Sequence, residues 1–124
     1  MNNQKFRQKA KEYYKTIGRV WCPALNDYVV FNNKGFTHLL RKKGVTRMNS
    51  EQKRRLNLLA DAIKIIADPL TNPVAQIKYA RHPVNFWKFT GEKDGQKITV
   101  VVRQLPDGIK HFYSVYSKKQ KTAQ

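Results

Sequence analysis

Residues 35–44, GFTHLLRKKG, place a histidine and an arginine three positions apart beside a short apolar run. At about 100° per residue, a helix here gathers Phe36, Leu39 and Leu40 on one face. His38 and Arg41 then sit on the opposite face, roughly 60° apart. The apolar face can seat the helix in a core. The other presents an imidazole and a guanidinium, the proton carrier and charge clamp that a phosphodiester reaction uses. The same spacing also describes an ordinary surface helix, so the rest of the chain must weigh on one side. Near the other end, Ser114 and Tyr116 stand two residues apart. On a strand they share a face about 7 Å apart. Set opposite His38 and Arg41, a hydroxyl and a phenol would close a ring around a phosphate.

The elements that would hold these side chains follow from periodicity and breakers. Residues 5–17 carry Phe6, Ala10, Tyr13, Tyr14 and Ile17 at helical spacing, with Gly18 placed to end the helix and a polar, frayed segment (1–4) before it. Residues 19–31 read as two short extended pieces, RVWC and YVVF, around turn-forming residues 23–27. Residues 32–35 (NNKG) break the chain and cap the His38 helix, Gly44 ends it, and 45–49 form a linker holding Arg47. Residues 50–67 predict one long helix, capped by Asn49 or Ser50 and stopped at Asp68-Pro69. Its stripe of Leu56, Leu59, Ile63 and Ile66, widened by Leu58, Ala62 and Ile65, marks a core element.

Residues 68–84 contain three prolines and little periodicity, and predict a surface loop carrying Tyr79, Arg81 and His82. The last third is β. Strands at 85–90, 96–104 and 109–116 are joined by Gly-Glu-Lys-Asp-Gly and by Leu-Pro-Asp-Gly, giving an antiparallel meander. Alternation sets Ile98, Val100 and Val102 against Thr99, Val101 and Arg103. In the last strand it sets Phe112, Ser114 and Tyr116 against His111, Tyr113 and Val115. Residues 117–124 read as a basic flexible tail. The expected architecture is a single α+β domain over 1–124, with N-terminal helices packed on a C-terminal antiparallel β-meander and one sheet face left free.

Composition names a partner class. There are 25 Lys+Arg against 8 Asp+Glu, a net charge of +17, which attracts polyanions and makes nucleic acid the leading partner. One cysteine, Cys22, excludes an internal disulfide framework and cysteine-rich zinc sites. His38, His82 and His111 show no H-x₃-H or H-E-x-x-H spacing, so no metal and no other cofactor is expected. No apolar run is long enough to span a membrane and no signal-peptide core follows the N-terminus, which predicts a soluble chain in a reducing compartment.

In element order, with His38-Leu-Leu-Arg41 early and Ser114-Val-Tyr116 on the last strand, the sequence resembles the small ribonucleases of the barnase/EndoU/colicin/RelE (BECR) fold class. Within that class it is most similar to contact-dependent inhibition toxin domains and phage-encoded relatives that carry H-x-x-R early and [ST]-x-Y late. The resemblance spans about residues 5–116 as an order of elements and rests on those four residues. Two features depart from it. The family has a four-stranded sheet, so a fourth strand must come from 19–31 or 74–80, and Ser114 stands where many members carry threonine.

The resemblance implies metal-independent cleavage of RNA, often tRNA, in the cytoplasm of a target cell, by a toxin neutralised by an acidic immunity protein. The RNA 2′-OH would attack its own phosphodiester, leaving a 2′,3′-cyclic phosphate and a 5′-OH. His38 would move a proton, Arg41 would neutralise phosphate charge, and Ser114 and Tyr116 would hold the phosphate. Lys42, Arg47, Lys88, Arg103 and His111 are the further substrate-binding candidates. Two rivals explain the charge as well. A non-catalytic RNA- or DNA-binding module could stack bases on the aromatic strands. A helix-turn-helix would use 36–43 and 50–67, but leaves the late strands without a role.

Overall fold

A computed structural model describes residues 3–42, 44–78 and 83–119. The fold is α+β: four helices and a six-stranded mixed sheet. Helix α1 (Asn3–Ile17) begins inside the segment expected to fray, and Tyr14 fixes it to the core. The Tyr14 ring packs against Phe31, Phe36 and Phe112, while its hydroxyl donates to the Asn32 carbonyl at 2.6 Å. A short hairpin follows, β1 (Arg19–Cys22) against β2 (Asp27–Val30).

Helix α2 (Asn33–Leu40) is capped by Asn32, whose side chain accepts from the Gly35 amide at 3.3 Å. It stops one turn earlier than expected. Arg41 is already extended (φ −138, ψ 151) and opens a two-residue strand, β3 (Arg41–Lys42), paired with β4 (Val45–Thr46). Gly44, at φ +78, therefore serves the turn of this small hairpin rather than a helix end.

The long helix divides in two. Helices α3 (Asn49–Asn57) and α4 (Leu59–Ala67) meet at Leu58 (φ −90, ψ 0). The bend resolves the wide apolar arc: Leu56, Leu58, Leu59, Ala62 and Ile66 all reach the core, which a straight helix with so broad a stripe could not achieve on one sheet.

The meander has four strands, β5 (Val74–Lys78), β6 (Val84–Lys93), β7 (Gln96–Gln104) and β8 (Lys110–Lys119), and β2 joins β8 in parallel at Val30 and His111. Across the sheet the order is β1-β2-β8-β7-β6-β5, so both segments considered for an extra strand contribute, 19–31 with β1 and β2 and 74–80 with β5. Strand β5 corrects the loop expected there. Its residues are all exposed, so it is ordered by its ladder with β6 and carries no burial pattern to read. Residues 117–119 likewise belong to β8 and not to a tail. Tyr79, Arg81 and His82 lie outside the described residues, as do residues 120–124.

One sheet face builds the core. Phe89, Ile98, Val100, Val102, Phe112 and Val115 meet Leu39, Leu56, Leu59, Ala62 and Ile66 from the helices. The alternation expected for β7 holds throughout, but that of β8 is interrupted. Val101 pairs with Ser114 and Val102 with Phe112, which leaves Tyr113 as the extra residue of a β-bulge. Phe112 therefore faces the core while Ser114 and Tyr116 face the other side, although a regular strand would keep the three together.

Candidate active site

The bulge stands where β8 loses its second neighbour. β2 pairs with β8 only through Val30 and His111, and beyond that point α2 and α3 approach the strand instead. Helix α2 comes so close that a Cβ on Gly35 would run into the Phe112 carbonyl oxygen. One turn further on, the His38 ring lies against the Tyr113 ring, with centroids 4.2 Å apart. From α3, Arg55 reaches the strand: Nη1 donates to Ser114 Oγ at 2.9 Å and lies 3.5 Å from the Val115 carbonyl oxygen, and the guanidinium sits 5.7 Å over the Tyr116 ring.

Between these elements and the open face of the meander runs a groove of about 410 Å³. Among the described residues, His38, Tyr113, Ser114 and Tyr116 line it together with five cations, Lys42, Arg47, Arg55, Lys78 and Lys88, and no carboxylate. Glu51, outside the groove lining, holds Arg55 at 2.8 Å and Arg54 at 3.5 Å. Desolvation would raise its pKa, but the hydrogen bond from Arg55 and the charges of Arg55, Arg54 and Arg47 keep the carboxyl below its usual range.

Arg47 is fixed by a chain of hydrogen bonds. Its Nε donates to the His38 carbonyl at 3.1 Å and its amide to that of Leu40 at 2.8 Å, which satisfies the end of α2. Its own carbonyl accepts from the buried Gln52 at 2.7 Å, and Gln52 in turn accepts from Arg7 of α1 at 3.4 Å. Burial and the charge of Arg55 both act against the Arg47 cation, so an anion in the groove would relieve it.

His38 has its pKa pushed down to about 4, first by desolvation and then by Arg47, Arg55, Arg103 and Lys42. The imidazole is therefore neutral near pH 7. Its Nδ1 is buried with no hydrogen-bond partner, the only such side-chain atom among the described residues.

The expected site residues divide into three groups. His38, Tyr116, Lys42, Arg47 and Lys88 line the groove, and Ser114 forms its floor, 2 % exposed and committed to Arg55. Arg41 and Arg103 do not line it; they border a shallower depression on the far side of His38 and Tyr113. Arg41 misses because α2 ends before it, and its guanidinium donates to the Gly44 carbonyl at 2.6 Å. Arg103 lies 4.8 Å over the Tyr113 ring and donates to His111 Nε2 at 3.1 Å. His111 is fully buried and cannot meet a ligand directly.

Sequence reasoning missed Tyr113, Arg55 and Lys78. The bulge that presents Tyr113 leaves no mark in the sequence. Arg55 had a faint one, a Glu51 one turn before it to hold it in place. Among the described residues no three of His, Cys, Asp and Glu converge as metal ligands. Comparison with known proteins gives no match to this chain, whether with family models, curated proteins or solved structures.

Proposed function

We propose that the groove cleaves RNA by metal-independent transesterification. The observation that carries this reading is the place of His38: a neutral imidazole lining a groove with five cations and, among the described residues, no carboxylate. His38 takes the proton of a ribose 2′-OH. The freed oxygen attacks the adjacent phosphorus, and the bond to the 5′-oxygen breaks. Tyr116 supplies the proton that the leaving oxygen needs, and the products are a 2′,3′-cyclic phosphate and a 5′-OH.

Arg47 and Arg55, not Arg41, carry the charge that grows on the phosphate oxygens, and Ser114 holds Arg55 in position instead of touching phosphate. Lys42, Lys78 and Lys88 extend the attraction along the backbone. A bound phosphodiester offsets the arginines, so it raises the His38 pKa from about 4 towards neutrality, where a general base works best. The resemblance to toxin ribonucleases adds tRNA as the substrate, the cytoplasm of a target cell as the place of action, and an acidic immunity protein as partner. A surface of net charge +17 would meet such a partner rapidly.

The test is incubation with total tRNA in EDTA, beside His38→Ala, with the ends of all fragments mapped. Discrete fragments bearing cyclic phosphate, absent with His38→Ala, are expected. RNA that stays intact but is bound equally by both proteins, with steep salt dependence, would instead identify a basic binding module.

A further inference from the structure

The groove has a continuation past His38. The imidazole and Tyr113 are shared with the second depression, about 540 Å³, whose walls carry Lys34, Arg41 and Arg103. None of these cations forms an ion pair among the described residues. Their charge is thus available to an anion entering from the groove.

The same sheet face runs on beyond Arg103. One row of cross-strand partners passes from Phe86 through Arg103, His111 and Val30 to Arg19. Arg19 therefore stands on this face, three strand spacings or about 14 Å from Arg103. In the next row Trp21 pairs with Tyr28. Their rings meet edge to face at 5.0 Å, and the Arg19 guanidinium lies 4.0 Å over Tyr28.

Both aromatic rings are exposed, Trp21 at 44 % and Tyr28 at 40 %, while their strand neighbours Cys22 and Val29 take the core side. The hairpin thus spends its small residues on the core and its large flat ones on water. That allocation serves a ligand with a flat, partly apolar face. Two rings and an arginine stand at the end of a cationic path, the combination that stacks unpaired bases.

We infer that this side of the sheet is a track for single-stranded RNA that passes over the buried His111, with phosphates flanking the cleaved one over Lys34, Arg41 and Arg103 and a more distant base stacked on Trp21 and Tyr28. RNA is named on the strength of the function proposed above; the track itself rests on the row of residues just described. An unpaired strand is required because a base inside a duplex already has both faces covered.

The experiment is fluorescence anisotropy with a labelled octanucleotide of 2′-O-methyl RNA, which cannot be cleaved, alongside a dinucleotide and a duplex of equal length. The variants are Trp21→Leu/Tyr28→Leu, which keeps apolar bulk but removes the flat rings, and Trp21→Phe, which keeps a ring. The leucine pair is expected to weaken octanucleotide binding about tenfold or more, with the loss confined to the long single strand and largely restored in Trp21→Phe. If the leucine pair does not fold by circular dichroism, Arg19→Ala read against Trp21→Phe takes its place, with Arg19→Ala again weakening only the long strand.

Equal octanucleotide affinity in wild type and variant would overturn the track. So would an equal loss for the dinucleotide or the duplex. Because the probe is uncleavable, a protein that leaves RNA intact yet shows the Trp21 dependence would refute the proposed catalysis and uphold the track. Cleavage of tRNA without that dependence would do the reverse.

Discussion

Two histidines of this protein have their pKa pushed down to about 4, and they stand in opposite surroundings. His111 is completely buried and fully bonded: Nε2 accepts from Arg103 at 3.1 Å, which leaves the proton on Nδ1, 3.3 Å from Asn32 Oδ1. It ties β8 to the cap of α2 and is a structural group. His38 reaches its low pKa through desolvation and four cations, but Nδ1 has no partner and the ring faces a groove. A depressed pKa therefore does not distinguish a working histidine from a packing one. What separates the two rings is their place: His38 lines a groove of cations, whereas both nitrogens of His111 are bonded inside the fold.

The strongest way to break this comparison is to delete each ring in turn. His38→Ala is expected to lower cleavage by about 10²–10⁴-fold while the protein unfolds at nearly the wild-type denaturant midpoint. His111→Ala should do the opposite. It strands Arg103 and Asn32 and opens a buried space, costing about 2–4 kcal/mol of stability, with turnover per folded molecule kept. If His111→Ala lost activity ahead of stability, the division of labour would be wrong.

Gly35→Ala should damage both regions together. The added methyl meets the Phe112 carbonyl, so α2 must lift from β8, at a cost of about 1–3 kcal/mol. Because His38 rides on the same helix, kcat should fall more than the stability loss alone explains, a split that steady-state kinetics on the folded fraction would reveal.

Acid sharpens the contrast further. Both imidazoles are depressed in the fold, so between pH 6.5 and about 4 the unfolded chain takes up protons that the native one does not. Stability must fall as pH drops through that window. His111→Gln should flatten the slope of Tm against pH there without removing it, since His38 remains. In kinetics, the acid limb of kcat/KM should report the free groove near pH 4, and the limb of kcat should lie higher, with phosphate bound. The smallest effect expected is that of Gln52→Leu. Arg47 loses the anchor on its carbonyl, so kcat should fall a few-fold, since Arg47 meets the charge that grows in the transition state.

Much of this layout is visible in the sequence. The apolar stripe of 50–67, the turn residues between the late strands and the alternation of Ile98 to Arg103 specify the core and the meander, because each records burial. What the sequence hides records no burial. Strand β5 is wholly exposed, so its ladder with β6 leaves no pattern. The Tyr113 bulge inserts one residue without a breaker, and it decides which face Ser114 and Tyr116 occupy. The end of α2 at Leu40 is set by Arg47 bonding back to the carbonyls of His38 and Leu40, a contact between separate segments. That is why the helical wheel pairs His38 with Arg41, while the fold pairs it with Arg47 and Arg55.

Strand β5 gives the groove walls of unequal stiffness. Lys78 and Gln76 stand on a strand held by one neighbour and with no buried residue, while His38, Tyr113 and Arg55 stand on elements packed on the core. Its amides should exchange with solvent deuterium well before those of β7, through an opening that leaves the rest of the sheet closed. Ligands of different width would then be accommodated by movement on the β5 side alone, with the chemistry held still on the other.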